Sequence, residues 1–334
     1  MTARWAGPRP RPARGAIRRG RVALAFLAVC VVWGTTFLAI KTGLAWLPPL
    51  TLGGAQCGIA GLLLLAWLAA RGGLVLDARD IRRGIVAGAL FFPFGNGMVF
   101  AGTDRVPSGL AALLVATIPL FTAIFGWTTG YLSRPGWGQG LGLALGLGGV
   151  AWLAGPFGPG GPLGPADPRV PCGLDPAGAL LLLAGSACWG VGSIYTGPAA
   201  PPTRSSPLAR AAVQVFGGGI LMLAAGGATG EWGRIRWDQM TVATVGSLAY
   251  LIVFGSLVAF VSYTYLLSVA DAGWASTYAL VNPVVALFVG WWLAGEALSL
   301  RTVAAAAVII AGVALLTLVE GPRAGGGPSG RRAE

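Results

Sequence analysis

Ten long apolar runs, separated by short connections, constrain this chain more than any other feature of its sequence. Each run has the length of a membrane-crossing helix, roughly 20 residues. The runs form two groups of five. Because five is odd, two groups that share one fold must lie in opposite orientations in the membrane, as in many secondary transporters. The predicted spans are 22–41, 50–70, 84–103, 108–131, 137–155, 177–197, 208–228, 242–266, 274–295 and 302–319.

The composition is typical of a chain that lies mostly within a lipid bilayer. Of its 334 residues, 55% are hydrophobic and only 10% are charged, whereas soluble domains carry about 25% charged residues. An isolated strand cannot pair its backbone groups in lipid, and the alternating pattern of a membrane barrel is absent. We therefore predict an all-α membrane protein with ten transmembrane helices in two inverted five-helix repeats.

The basic residues predict the orientation of the spans. The net charge is +12, and the basic residues are 22 arginines and a single lysine. With the N-terminus inside, 17 of the 23 basic residues fall in cytoplasmic segments and 6 in external ones. This bias predicts a multi-pass protein of the cell (inner) membrane with both termini in the cytoplasm. We interpret the Arg-rich N-terminal tail as an anchor beside anionic lipid, so lipid is an expected partner and nucleic acid is not.

A Pro/Gly run near the middle divides the chain, because such a composition neither forms a helix nor packs a core. We expect two repeats of five helices, joined by an external linker and flanked by tails. The predicted segments are a cytoplasmic Arg-rich tail at 1–21, the first repeat at 22–155, the linker at 156–176, the second repeat at 177–319 and a cytoplasmic tail at 320–334.

The two groups of spans resemble each other in sequence. Trp33-Gly34 in the first span matches Trp189-Gly190 in the sixth. Gln56 in the second span matches Gln214 in the seventh. Four residues of the fourth span recur 164 positions later in the ninth: Gly109, Pro119, Gly126 and Trp127 return as Gly273, Pro283, Gly290 and Trp291. Internal similarity of this kind indicates a duplicated unit.

The sequence shows no pattern of residues that usually carries catalysis or binds a metal. It contains no histidine, and its four cysteines do not cluster. We therefore expect no metal site and no cofactor. No nucleophile lies beside a base, which argues against an enzyme. Charged side chains such as Lys41 and Glu296 fall at span ends, whereas charges inside spans mark ion and proton pathways. A cavity in this protein should favour neutral, zwitterionic or amphipathic organic solutes.

Several polar side chains are predicted at mid-membrane depth. Each needs a partner from another helix, from water or from a bound solute. Thr35 and Ser193 can bond back to their own helices. Asn96 and Asn282 favour a functional role, because an amide has four bonding sites that helix neighbours rarely fill. For each of these residues, both bonding between helices and lining of a cavity remain open.

Prolines and glycines inside the spans also allow two interpretations each. Pro119 and Pro283 occupy matching positions, which favours a functional hinge, although proline is tolerated in membrane helices as a simple kink. Gly138, Gly142 and Gly146 form a stripe of small residues in the fifth span. The stripe indicates close packing within the chain or the contact of a homodimer.

Five stretches carry a resemblance to a known family: WGTTFLAIK at 33–41, GNGM at 95–98, VPSGLAA at 106–112, YALVNPV at 278–284 and Gly295-Glu296. Together they resemble the EamA branch of the drug/metabolite transporter superfamily, and several are most similar to bacterial exporters of that branch. The likeness extends from about Val22 to Leu318. It leaves out the two tails and the Pro/Gly linker.

The resemblance implies ten spans in two inverted repeats, alternating access and export of small organic metabolites. The central cavity of the family is attributed to helices one, three, four, six, eight and nine. Aromatic and polar residues of those helices are the candidate substrate-binding residues here, with two prolines as candidate hinges. They are Trp33, Thr35, Asn96, Phe100, Trp189, Ser193, Tyr263, Tyr265, Tyr278 and Asn282, and the hinges Pro119 and Pro283.

The chain departs from the family pattern at two positions. Leu132 stands where a match to Glu296 would lie in the first half, and Gln56 stands where many relatives have an arginine. Paired acidic residues therefore cannot couple transport here. We expect Glu296 to be structural and to cap the turn before the tenth span.

The sequence thus predicts a secondary transporter that exports small organic metabolites or drugs across the cytoplasmic membrane. The solutes would be amino-acid-like, neutral or amphipathic. Two alternatives stay open at this point. One is an uptake permease of the same fold. The other is a non-transporting membrane subunit for assembly or sensing, which the absence of a soluble signalling module disfavours.

Overall fold

The computed structural model describes residues 13–130, 132, 134–154, 175–196, 205–269 and 278–318. All regular structure within these residues is helical, which confirms the predicted all-α class. The predicted C-terminal tail lies outside the described residues, as do the first twelve residues and nearly all of the predicted linker at 156–176.

We number the helical segments in chain order and treat as one segment any pieces that continue without a connecting loop. They are α1 Ala13–Leu44, α2 Pro49–Ala70, α3 Ala78–Arg105, α4 Ser108–Thr128, α5 Trp137–Ala154, α6 Pro176–Thr196, α7 Pro207–Ala228, α8 at 242–269, α9 Tyr278–Ala294 and α10 Leu300–Leu318.

Eight stretches of the described chain are long and apolar enough to cross a membrane. They lie in α1, α2, α3, α4, α6, α7, α8 and α10, whereas α9 is a shorter apolar helix and α5 is not among the eight. A helix in lipid satisfies its own backbone groups, which is why such a chain folds this way. The chain is therefore a multi-pass membrane protein.

The helices of the first group, α1–α5, contact those of the second group, α6–α10, in an exchanged pattern. α1 packs against α8 and α9, and α6 packs against α3 and α4. α2 packs against α7, and α5 packs against α10. The first helix of each group thus contacts the third and fourth helices of the other. This is the pattern that two copies of one unit make when they associate about a two-fold axis.

Glycines make the closest of these contacts possible. A Cβ atom on Gly219 of α7 would clash with the backbone of Gly58 in α2, and one on Gly61 would clash with the backbone of Phe216. In the other pair, a Cβ atom on Gly142 of α5 would lie 2.7 Å from the carbonyl oxygen of Gly312 in α10. Small residues let helix backbones approach in this way. Gly142 of the predicted stripe therefore packs within the chain.

The third helix of each group contains a π-helical segment. It spans Phe92–Asn96 in α3 and Leu251–Val258 in α8. The segment of α3 packs against α7, and that of α8 packs against α2. A π turn inserts an extra residue into a helix and often marks a functional position.

The two candidate hinge prolines lie in different local structures. α4 is interrupted at Ala116 and Thr117, and Pro119 follows in the first turn of the second piece. α9, by contrast, runs without a break through Pro283. Proline cannot donate to the carbonyl four residues earlier. Pro283 therefore removes a hydrogen bond from the interior of α9, whereas Pro119 stands in a first turn, where proline is tolerated.

Charged side chains tie helix ends together on one face of the bundle. The Lys41 ammonium at the end of α1 donates to the carbonyl oxygen of Val106, 2.7 Å away, where α3 ends. The Glu296 carboxylate accepts from the backbone N–H groups of Ser108 (2.7 Å) and Gly109 (3.1 Å), where α4 begins. We call these contacts the Lys41–Glu296 clamp, because both side chains hold the α3–α4 connection.

The expected role of Glu296 is therefore corrected in one respect. It is structural, as expected, but it caps the start of α4 and not the turn before α10. Glu231 does the same for α2, because its carboxylate accepts from the backbone N–H (2.9 Å) and the hydroxyl (3.0 Å) of Thr51. A carboxylate at a helix N-terminus pairs with free N–H groups and with the helix dipole.

Candidate functional site

A cavity of about 330 Å³ lies between the two groups of helices. Residues of α1, α2, α3 and α4 line it on one side, and residues of α6, α7, α8 and α9 line it on the other. No Asp, Glu, Lys or Arg is among the described residues that line it. Ligand cavities are typically apolar and aromatic with a few placed polar groups, and this cavity has that character.

The structure brings most of the sequence-predicted residues together at this cavity. Eight of the ten predicted binding residues line it, as do both predicted hinge prolines. They are Trp33, Asn96, Phe100, Trp189, Ser193, Tyr263, Tyr278 and Asn282, with Pro119 and Pro283.

Thr35 and Tyr265 are the two predicted residues that do not line the cavity. The Thr35 hydroxyl donates to the carbonyl oxygen of Val32 (2.8 Å) and lies 2.6 Å from the Tyr250 hydroxyl, so it belongs to the contact between α1 and α8. Tyr265 packs against the buried cluster of Ala25, Val29 and Leu266, which lies behind the cavity-lining Trp33, Tyr263 and Tyr278. The adjacent Thr36 takes the place at the cavity that was predicted for Thr35, because consecutive helical residues point about 100° apart.

The repeated tryptophans connect the two groups of helices reciprocally. The indole N–H of Trp33 in α1 donates to the carbonyl oxygen of Gly255 (3.0 Å) in the π segment of α8. The indole N–H of Trp189 in α6 donates to the Asn96 side-chain oxygen (3.1 Å) in the π segment of α3. Each first-helix tryptophan therefore bonds to the π segment of the opposite group.

The glycine after each tryptophan allows a close helix contact. A Cβ atom on Gly34 would lie 2.6 Å from the Cβ of Val285 in α9, and one on Gly190 would lie 2.9 Å from the backbone nitrogen of Thr122 in α4. These contacts are again reciprocal. The repeated Trp-Gly pair therefore has the same role in both halves. The glycine leaves room for the fourth helix of the opposite group, and the tryptophan donates to the π segment in the third helix of that group.

Three aromatic rings form one wall of the cavity. The ring centroids of Trp33 and Tyr278 are 5.0 Å apart, and Tyr263 lies 5.4 Å from each of them. With its amide oriented to satisfy its neighbours, Asn282 donates to the carbonyl oxygens of Cys30 (3.0 Å) and Tyr278 (3.2 Å). Such aromatic contacts add to the burial of the rings. This wall therefore joins α1, α8 and α9.

Two polar residues that are not among the predicted binding residues meet at the cavity. The Gln56 side-chain nitrogen in α2 donates to the Ser256 hydroxyl (3.0 Å) in the π segment of α8. The Gln56 side chain is only 8% exposed, and its oxygen has no hydrogen-bond partner among the described residues. The match between Gln56 and Gln214 was the available signal for the first residue. Ser256 carried none.

Three hydroxyl groups at the cavity donate to carbonyl oxygens of their own helices. Thr36 donates to the carbonyl oxygen of Trp33 (2.7 Å), Thr122 to that of Ile118 (2.9 Å) and Ser193 to that of Trp189 (2.8 Å). Ser and Thr often bond back in this way inside membrane helices. The amide groups therefore supply most of the hydrogen bonding that remains for a bound molecule.

Within the residues that the structure describes, no group of three or more His, Cys, Asp or Glu is placed to hold a metal ion. The cavity offers no charged side chain to neutralise an ion, and a charge moved into apolar surroundings is costly. The arrangement is therefore suited to binding an uncharged organic molecule.

Comparison with known proteins agrees with this architecture. The model of the EamA-like transporter family matches the chain twice, at residues 20–155 and 176–318. The Escherichia coli (strain K12) protein named "Uncharacterized inner membrane transporter YedA" is 37% identical over 299 residues, covering 88% of this chain and 90% of that protein. The Bacillus subtilis (strain 168) "Uncharacterized transporter YvbV" is 24% identical over 297 residues, covering 89% of this chain and 91% of that protein.

A solved crystal structure has the same fold. It superimposes with a TM-score of 0.59 at 21% sequence identity, and the match covers 90% of this chain and 98% of that one. At this level of identity the likeness concerns the fold alone.

Proposed function

The chain belongs to the EamA-like transporter family, and from that premise we propose that it exports small organic solutes across the inner membrane by alternating access. Ten spans in two inverted five-helix repeats would form the transporter. The observation that carries the proposal is the uncharged, aromatic cavity between the two halves that the family model matches. Transporters of this construction bind their substrates at the repeat interface.

Three observations support the inverted arrangement. The family model matches each half once, and the contacts between the halves are exchanged. The bias of basic residues favours both termini in the cytoplasm, which needs an even number of spans. If α5 and α9 also cross the membrane, the total is ten. The name of the YedA relative supports the inner membrane as the location.

The Lys41–Glu296 clamp supports loading from the cytoplasm. With the N-terminus inside, α1, α3 and α9 end on the external face and α4 begins there, so the clamp would close that face. A substrate would enter from the cytoplasmic side, and release would require the α3–α4 connection to separate from Lys41 and Glu296. Alternating access requires that the protein populate a state closed on the external face and a state open on that face, one after the other.

The substrates we propose are neutral, zwitterionic or amphipathic solutes, because the described cavity lining carries no formal charge. Aromatic rings would hold an apolar frame, and the amides of Asn96 and Asn282 would orient a polar group.

Efflux from vesicles tests the proposal. Purified protein is reconstituted in liposomes that are loaded with a panel of radiolabelled neutral, zwitterionic and amphipathic solutes. We expect at least one solute to leave faster than from protein-free liposomes. Changing Trp189→Ala together with Asn282→Leu should abolish that difference, because both residues line the cavity.

Trp137→Ala is the matched control, since this tryptophan is 97% exposed and lies away from the cavity. Equal efflux from the wild type and the double variant would refute the assignment of the cavity. A separate labelling experiment tests the orientation. With Arg204→Cys as the only cysteine, the new thiol should react only with reagents that reach the cytoplasm, and reaction from the external side would overturn the inverted repeat.

A further inference from the structure

Two amide side chains at the cavity each bond to the protein through only one of their two polar atoms. One of them bonds through its oxygen and the other through its nitrogen. The oxygen of Asn96 accepts from Trp189 (3.1 Å), whereas its side-chain nitrogen makes no hydrogen bond among the described residues. The nitrogen of Gln56 donates to Ser256 (3.0 Å), whereas its oxygen is buried and unpartnered. Asn96 therefore has donor capacity left, and Gln56 has acceptor capacity left.

The bonded atom of each amide is held by a partner on another helix, and this sets the orientation of the side chain. Trp189 can only donate, so it holds the Asn96 oxygen and turns the NH₂ group away from itself. Ser256 lies in the π segment of α8 and holds the Gln56 nitrogen. A buried polar atom without a partner is rare and costs free energy. A bound molecule that pairs with the Gln56 oxygen, after a small rotation of that side chain, removes this cost.

Several other polar groups of the lining are already bonded within the protein. The Asn282 side-chain nitrogen donates to the carbonyl oxygens of Cys30 and Tyr278. The indole N–H of Trp33 donates to Gly255, and the hydroxyls of Thr36, Thr122 and Ser193 donate to their own helices. Asn96 and Gln56 both line the cavity. Together they present one donor and one acceptor beside the aromatic and apolar side chains of the cavity.

We propose that Asn96 and Gln56 form a specificity pair for a neutral amide or lactam group carried on an apolar frame. The carbonyl oxygen of the solute would accept from Asn96, and its N–H would donate to Gln56. A carboxylate has no donor for Gln56 and an ammonium has no acceptor for Asn96. Either ion would also enter a cavity without a counter-charge. Transport of the bound amide rests on the proposed function, whereas its selective binding does not.

Binding of three probes with one frame tests the pair: indole-3-acetamide is neutral, indole-3-acetate is an anion and tryptamine is a cation. Affinities are measured by isothermal titration calorimetry on the full chain in lipid nanodiscs, with protein-free nanodiscs subtracted. We expect the amide to bind at least about tenfold more tightly than either ion, the preference that a pair of matched hydrogen bonds provides.

Two variants remove one half of the pair each. Gln56→Leu removes the acceptor at nearly constant volume. Asn96→Asp keeps an oxygen for Trp189 and removes the donor, and it adds a charge that favours tryptamine. Each should weaken indole-3-acetamide about three- to tenfold, and Asn96→Asp should reverse the order of the amide and the cation. Gln214→Leu is the matched control, because this repeat-related glutamine is not among the residues that line the cavity.

The reversed preference of Asn96→Asp distinguishes lost recognition from lost folding, because an unfolded variant binds none of the probes. Equal binding of the three probes by the wild type, no binding of any probe, or preference for tryptamine through the aromatic rings would each overturn the pair. Unchanged selectivity in both variants would overturn it as well. Selective binding of the amide without its movement across proteoliposomes would leave the pair intact and refute the proposed transport.

Discussion

Replacing Glu296 by glutamine removes the charge of the Lys41–Glu296 clamp while keeping the size of the side chain. The carboxylate accepts from the backbone N–H groups of Ser108 (2.7 Å) and Gly109 (3.1 Å). A hydrogen bond to a charged group contributes about 1.5–3 kcal/mol, and a charge at a helix N-terminus about 0.3–1 kcal/mol. Glutamine has one acceptor oxygen and no charge. After allowance for the partial exposure of this site, the loss is about 2 kcal/mol.

If the clamp closes one face of the protein, this loss shifts the equilibrium toward opening on that face. A change of about 2 kcal/mol corresponds to about 30-fold in the ratio of open to closed molecules. Cys57 is a suitable reporter, because it lines the cavity and is buried in the closed state. With Cys57 as the only cysteine, its labelling by a membrane-impermeant maleimide from the clamped face should be about 30-fold faster in Glu296→Gln.

Glu231→Gln is the matched control, because Glu231 also caps a helix, at Thr51, across the two halves. It holds α2, whose contact with α7 is kept close by glycines such as Gly58. We expect this variant to lower the thermal stability without changing the labelling of Cys57. Equal labelling rates in Glu296→Gln and the wild type would refute the reasoning, since the clamp would then have no part in closing the cavity.

Two further predictions concern the reciprocal contacts of the first helices. Gly190→Val should prevent the packing of α6 on α4, because the added Cβ would lie 2.9 Å from the Thr122 nitrogen, and should reduce the yield of folded protein severalfold. Gly148→Ala should be tolerated, because no atom lies within 4 Å of the added Cβ. Size-exclusion chromatography measures the folded fraction of both variants. Trp33→Phe should leave the Gly255 carbonyl without its donor, at a cost of about 1–3 kcal/mol. An unchanged melting temperature would contradict this.

The positions of most helices follow from the sequence, because a change from apolar to turn-forming residues marks their ends. The predicted spans 50–70 and 208–228 agree within one residue with α2 and α7, where Pro49 and Pro207 begin the helices. The start of α1 does not follow from hydropathy. This helix begins at Ala13, within the predicted Arg-rich tail, because arginine is a good helix former outside the apolar run.

The direction in which each side chain points was harder to predict than the position of the helices. The apolar run of α1 is apolar on nearly all sides, so it lacks the pattern of polar residues that identifies the buried face of a soluble helix. The displacement from Thr35 to Thr36 is the result of that ambiguity. The π segments in α3 and α8 were also beyond prediction, since an extra residue in a turn leaves no mark in hydropathy.

The family resemblance proposed the binding residues, and eight of the ten line the cavity, among them Trp33, Trp189 and Asn96. The hydrogen bonds between them could not be predicted. Trp33 donates to Gly255 and Trp189 to Asn96, each in the opposite half, and no local pattern of the sequence links such partners. The same holds for Glu296, whose partners lie 187 and 188 residues away in the chain.

The exchanged first helices have a consequence for how the chain is made. Trp33 and its acceptor at Gly255 are 222 residues apart. At about 5–20 residues per second, a ribosome needs roughly 11 to 44 s to cover that interval. Throughout this time the Trp33 indole lacks its acceptor, and α1 lacks α8 and α9, against which it packs. We therefore expect that slower decoding of the second half increases the loss of the nascent chain to membrane proteases.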